Sequence, residues 1–308
     1  MGRYVLRRLL QLVPVFLGTT FLIYLLVWAI PGDPFAGKCG DRQCPDAYIT
    51  AMREEYNLDD NVVVQYVKYL GNLLQGDFGE TFSGIEVSEL IANAYPVTLK
   101  LALVALVIEA VIGLAAGVLT GLRSGGYLDN LVLVSTLFLI AIPVFVTGYV
   151  LQTFLGLRLG IIDPTVSSEA RWSELLVPGF VLGSLSMAYV ARLTRTSIAE
   201  NRRADYVRTA VAKGLSSRRV VGVHLLRNSA IPVITFLGVD LGALMGGAIV
   251  TEGIFNIRGI GGLVFRSILT KEGATVTGVV VLLVIVYLLM NLLVDVLYAV
   301  LDPRIRFD

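Results

Sequence analysis

Residues Thr275–Leu301 read TVTGVVVLLVIVYLLMNLLVDVLYAVL, a stretch with one formally charged side chain, Asp295. A helix needs about 20 mostly apolar residues to cross a bilayer, and this run exceeds that. Five more segments meet or approach the requirement: Leu9–Ile30, Val97–Leu122, Leu131–Leu155, Leu175–Ala191 and Ile231–Val250. None shows the alternation of a membrane barrel, and lipid offers no partner to an open backbone amide. The expected fold class is an all-α membrane protein with six transmembrane helices.

Composition agrees. The 308 residues are 56% hydrophobic and 16% charged, with a mean hydropathy of +0.76. Ordinary soluble domains are roughly 45–50% apolar and about a quarter charged. With 31 Gly in no period and 2 Cys, collagen-like and disulfide-scaffold classes are excluded, as is disorder. A net charge of +1 argues against a nucleic-acid binder. The first segment is longer than a signal-peptide core and no A-x-A site follows it, so a retained first helix is expected.

With the N-terminus inside, the inner segments hold fifteen Lys and Arg and the outer loops nine. The outer loop 31–96 carries 11 acidic residues against 4 basic ones. The positive-inside rule then puts both termini in the cytoplasm. Cys39 and Cys44 fall in that outer loop, where a disulfide is expected over two free thiols. The single His224 lies on the other side, so no metal site is expected.

The chain divides into the N-terminus and first span (1–30), an extracytoplasmic cap (31–96) and a core of five spans (97–308) containing a cytoplasmic loop at 192–230. Within the cap, Asp46–Tyr56 reads as a short helix. Val63, Val67, Leu70 and Leu74 mark a second, amphipathic one ending near Gly76. The cap's apolar face suits its own bundle, the membrane surface or a partner. Gly113, Gly117 and Gly121 form one small-residue ladder and Gly238, Gly242 and Gly246 another. Such ladders let helix backbones approach closely. Either ladder alone reads as packing within the bundle; two together favour at least one subunit interface.

Three acids, Glu109, Asp240 and Asp295, lie within apolar spans, where an ionised Asp costs ~2.5–3.5 kcal/mol. Asp240 is the most central and a pathway residue by this reading. Asp295 is near the cytoplasmic end, within reach of Arg304 or Arg306. The loop 192–230 holds nine basic and two acidic residues. In it Ala204–Lys213 is a good helix former closed by Gly214. Composition leaves two readings of this loop open: docking to a cytoplasmic partner, or attraction to anionic lipid. No G-x-x-x-x-G-K-[ST] nucleotide loop occurs. Asp240 follows Gly238-Val239, which departs from the intramembrane aspartyl protease pattern. A second reading of the acids is a proton-coupled secondary transporter or channel, although no repeat of halves is visible.

Ordered motifs along the whole chain carry a resemblance. They are Pro31-Gly32-Asp33-Pro34, Gln65-Tyr66, Gly76-Asp77-Phe78-Gly79, Pro96-Val97-Thr98-Leu99, Ile142-Pro143 with Gly148, Ala191-Arg192-Leu193-Thr194-Arg195 and the tail Leu301-Asp302-Pro303-Arg304-Ile305-Arg306. Together they resemble the first permease subunit of bacterial dipeptide/oligopeptide ABC importers, a family that also includes nickel and glutathione permeases. The loop 205–214, DYVRTAVAKG, is similar to the family's EAA loop. This implies that Asp205, Arg208, Thr209, Ala210 and Gly214 contact an ATPase subunit. Arg208 stands where the broader superfamily has Glu. Glu252-Gly253-Ile254-Phe255 followed by Gly259-Ile260-Gly261 resembles the family's E-x-x-F…PGxG loop, with Arg258 in place of Pro. The resemblance makes Glu252, Phe255, Gly259 and Gly261 candidates for an outward gate. Glu109 departs from the apolar residue expected there.

The resemblance implies a type I-like permease bundle in the bacterial inner membrane. It also implies a second homologous permease, two ATP-binding subunits and an extracytoplasmic substrate-binding protein. ATP and Mg belong to those partner ATPases, with no cofactor in this chain.

Overall fold

The computed structural model describes residues 2–28 and 44–301. The Pro31–Pro34 motif, Cys39 (and with it the expected Cys39–Cys44 disulfide) and the tail from 302 lie outside the described residues. Among the described residues there is no strand, only an isolated bridge between Glu80 and Glu86.

Helix α1 (Gly2–Trp28) leads into two short cap helices, α2 (Asp46–Glu55) and α3 (Val62–Leu73). Gly76, at φ +84, sits past the end of α3. Helix α4 (Val87–Leu122) follows, so the expected boundary at 96/97 falls inside a helix, with Pro96 in its interior. Then come α5 (Tyr127–Ala141), α6 (Val144–Leu151) with a π-helical extension over Gln152–Arg158, and α7 (Leu176–Asn201). On the far side are α8 (Asp205–Ala212), the single turn α9 (Ser217–Arg219), a π-helical segment Val220–Leu225 and α10 (Leu226–Ile254). Helices α11 (Ile260–Leu269) and α12 (Gly273–Leu301) complete the fold.

Among the described residues five helices are long and apolar enough to cross a membrane, and the pair of α5 and α6, taken together as one bent span, brings the number up to six. That third span is not the single helix expected over Leu131–Leu155. It is bent by 98° at Ile142-Pro143, where Ile142 is extended at φ −89, ψ 123. Proline has no amide to donate and pushes the preceding residue out of the helical region, which explains the break. The fourth span is longer than Leu175–Ala191. Helix α7 continues through Arg192 and Arg195 to Asn201, because Arg, Ala and Glu are good helix formers once the chain has left the lipid. The loop expected over 192–230 therefore shrinks to the segment around α8.

Helices α4 and α7 form the tightest pair in the bundle, and glycine is the reason. A Cβ added at Gly113, Gly117 or Gly121 would lie 2.7 Å from Val190 Cγ1, 2.4 Å from Thr194 Cβ and 2.8 Å from Ile198 Cβ. In return, one at Gly179 would lie 2.6 Å from Val104 Cγ1. The two helices run parallel, since the contacts advance together along both chains. The first ladder is thus internal packing and not a subunit interface. In the second ladder, Gly238 and Gly242 face Val294 and Met290 of α12, while Gly246 has nothing within 4 Å. A core of Leu101, Ala105, Val181, Leu244 and Phe255 joins α4, α7 and α10.

Helix α1 packs antiparallel on α12. Arg8 pairs with Asp295 at 3.4 Å, and Trp28 Nε1 donates to Thr277 Oγ1 at 3.2 Å. Asp295 therefore has a charge partner in the first helix, while Arg304 and Arg306, its expected partners, lie outside the described residues.

Candidate functional site

Three places in the bundle bring the sequence candidates together. The first is the turn around α8. Asp205 lies in its first turn, where a carboxylate favours the positive end of the helix dipole. The helix stops at Gly214, whose φ of +75 is the left-handed conformation that glycine adopts without strain. Its amide donates to Val211 O at 2.9 Å, and Leu215 N reaches Ala210 O at 3.3 Å. Val207 and Ala210 turn inward against Ile198, Val220 and Leu225. Asp205, Arg208, Thr209 and Lys213 turn outward and are exposed. Asp205 and Arg208 stand 3.8 Å apart with side chains 98% and 77% exposed. Ala210 is 5% exposed, so it anchors the helix and presents no surface to a partner, contrary to expectation.

This end is braced by a pair that sequence reading missed. Arg195 Nε and Nη2 donate to Asp129 Oδ1 and Oδ2 at 2.6 and 2.8 Å. Gly125 N donates to the same carboxylate at 2.8 Å. Arg202 Nη1 also reaches Leu122 O at 3.1 Å. The available signal was an acid just after a Gly-Gly turn and an Arg at the end of a span, but nothing local linked the two.

The second place is at the opposite end. Thr98 Oγ1 donates to Glu252 Oε1 at 2.7 Å and accepts from Ile260 N at 2.7 Å. Gly262 N donates to Glu252 Oε2 at 2.7 Å. Both side chains are fully buried. A Cβ at Gly259 would lie 2.5 Å from both Glu252 oxygens, and one at Gly261 2.5 Å from Ile249 Cα. Phe255 is 1% exposed, and its carbonyl accepts from Val166 N at 2.9 Å. Gln152 Nε2 donates to Ile254 O at 2.6 Å and to Pro164 O at 2.8 Å. The four gate candidates, Glu252, Phe255, Gly259 and Gly261, thus form a closed clasp that ties the α10–α11 turn to α4, not an open lining.

The third place lies between them. Glu109 of α4 is fully buried, and neither of its carboxylate oxygens has a hydrogen-bond partner. It faces Asp240 of α10 closely enough for the two carboxyls to interact, and Ser186 of α7 bonds Asp240. An ionised carboxylate carries only acceptors, so the two can bond each other only by sharing a proton. Among the described residues, no cluster of three or more His, Cys, Asp or Glu suits a metal.

Residues 113–307 match the family of binding-protein-dependent transport system inner membrane components. Residues 1–102 match the N-terminal region of such membrane components. The chain is 36% identical to a di/tripeptide transport system permease protein of Pseudomonas aeruginosa, over 98% of each chain. It is 37% identical to a glutathione transport system permease protein of Salmonella paratyphi A and 36% identical to an oligopeptide transport system permease protein of Bacillus subtilis. Both of those matches cover the full length of each chain.

Proposed function

This chain belongs to the family of binding-protein-dependent transport system inner membrane components, and from that premise we propose how its helices serve ATP-driven uptake. It is a permease subunit of an ABC importer of the peptide and glutathione class. The relatives support this reading and not a proton-coupled secondary transporter.

The observation that carries the coupling is the way α8 is mounted. Its inner face is packed on the bases of α7 and α10, while its outer face offers Asp205, Arg208, Thr209 and Lys213. A short helix gripped on one side and closed at its end by Gly214 moves as a unit. In our reading this face docks on an ATP-binding subunit in the cytoplasm, and the basic residues around it put both termini on that side. ATP and Mg act there, outside this chain, which is itself non-catalytic. A second homologous permease completes the pathway, and an extracytoplasmic binding protein delivers cargo at the cap side. ATP binds the two states of the assembly with different affinity, and that difference drives the change. The Glu252–Thr98 clasp holds the cap-side ends of α4, α10 and α11 together, so they turn as one body when α8 is moved. Asp240, beside Glu109, is the polar step midway.

Purification of the tagged chain from its native membrane in mild detergent tests this. A second permease and P-loop ATPases are expected to copurify. Thr209→Cys is expected to cross-link to the ATPase and Ala210→Cys to give no product. A homo-oligomer without an ATPase overturns the reading.

A further inference from the structure

Helix α3 turns its apolar stripe outward: Val63, Val67 and Leu74 are 53%, 61% and 89% exposed. Gln65, Lys68, Tyr69 and Asn72, spaced as one helical face, instead line a cavity of about 200 Å³. The facing walls come from Tyr24 and Trp28 of α1, from Tyr56, and from the Asp77–Glu80 turn.

The aromatic walls are held in place. The Trp28 and Tyr56 rings stack at 5.5 Å, and Tyr24 and Tyr69 lie 5.4 Å apart. Trp28 donates to Thr277, and the Tyr56 hydroxyl donates to Glu80 O at 2.7 Å. The Tyr69 hydroxyl is buried and without a hydrogen-bond partner. Burial, with Tyr24 and Asp77 nearby, pushes it well above its ordinary value, so it stays neutral. Asp77 uses Oδ1 to accept from Gly79 N at 2.7 Å, which leaves its second oxygen for a ligand. Among the described residues of the lining the one cation is Lys68, and it is spent on Asn57 and Asp60, both at 2.6 Å. The lining otherwise brings aromatic rings, the amides of Gln65 and Asn72 and the acids Asp77 and Glu80 to the cavity. Ring faces attract cations, so the fitting ligand is an alkylammonium group.

The position selects the source. By length and composition the span of α1 ends at Trp28 and that of α12 begins at Gly273, so the cavity, lined by Trp28 and Thr277, lies at the level where spans meet the head groups. The apolar window of α1 is only 11% buried in the protein. The volume admits an ammonium and its short linker, and is below the ~300–1,000 Å³ of sites that engulf a larger ligand.

We propose that this cavity binds the ammonium head group of an aminophospholipid, with Trp28, Tyr56 and Asp77 as its partners. The inference rests on the membrane setting and not on the cargo reading.

Native mass spectrometry of the full purified complex tests it, with phosphatidylethanolamine and phosphatidylglycerol of identical chains as probes. Phosphatidylethanolamine is expected to be retained about tenfold better, as cation–π and carboxylate contacts together allow. Asp77→Asn, which keeps the Gly79 contact, is expected to lose most of that preference, and Trp28→Leu likewise. Tyr69→Phe preserves the ring and serves where Trp28→Leu fails to fold. Equal retention of both lipids overturns the proposal, as does an unchanged preference in Asp77→Asn. Displacement of the lipid by a free dipeptide assigns the cavity to cargo and overturns it too.

Discussion

Arg195 holds Asp129 through two parallel hydrogen bonds of 2.6 and 2.8 Å, and the carboxylate is 98% shielded from solvent, with 2% of its side chain exposed. The pair fastens the turn between α4 and α5 to the base of α7. Removing one partner of a shielded pair leaves the other unsatisfied. Asp129→Asn is expected to cost about 2 kcal/mol, discounted because Arg195 is part-exposed. Arg195→Lys is expected to recover little of it, because an ammonium cannot reproduce the two-pronged contact. Thermal unfolding of the purified chain in detergent reads both. An unchanged midpoint in Asp129→Asn shows that the pair does no bracing.

The two glycine ladders make opposite predictions. Gly117→Ala places a methyl 2.4 Å from Thr194 Cβ and 2.6 Å from Ala191 O, so α4 and α7 must separate, at a cost of about 1–3 kcal/mol. Gly246→Ala meets nothing within 4 Å and is expected to leave the isolated chain's unfolding midpoint unchanged. Equal effects in the two variants contradict the packing described.

Thr98→Val removes both the donor to Glu252 and the acceptor for Ile260 N. Each buried group left without a partner costs about 1–3 kcal/mol. The expected readout is local: faster hydrogen exchange at 255–262, with α8 unchanged. Gly259→Ala, which drives a methyl into the Glu252 carboxylate, is expected to do the same. Uniform exchange across the chain counts against the clasp.

Gly214→Val puts a β-branched residue at φ +75, a strained conformation costing about 1–3 kcal/mol. The end of α8 is then expected to fray while its docking face remains. In the reconstituted complex, peptide-stimulated ATPase activity persists and uptake falls several-fold. Undiminished uptake would falsify the role of a rigid α8.

Glu109→Gln supplies a permanent amide donor where two carboxyls now face each other and can bond only by sharing a proton. It is expected to raise the unfolding midpoint, by an amount set by about 1 kcal/mol for one net hydrogen bond. A lower midpoint shows that Glu109 has a partner of another kind in the intact protein.

Much of this was legible along the chain. The spans announce themselves because apolar length is a local quantity. The stop at Gly214 and the turn at Gly76 were legible for the same reason, since a left-handed residue favours glycine whatever surrounds it. Ile142-Pro143 was visible as a motif, but its consequence, a 98° bend, was not drawn from the residues before and at the proline.

What only the tertiary structure decided concerns which neighbour each face meets. Val63, Val67 and Leu74 form an apolar stripe by periodicity, which leaves its own bundle, the membrane surface or a partner open as its neighbour. Beside a lipid-facing helix the apolar face turns outward, and the polar face closes around a cavity. Asp295, near one end of the chain, pairs with Arg8, near the other. Glu109 and Asp240 are 131 residues apart in sequence and adjacent in the bundle. Hydropathy and turn chemistry act over a few residues and can be read from them. Ion pairs, clasps and cavities depend on distances between helices remote in sequence, and those exist only once the bundle has packed.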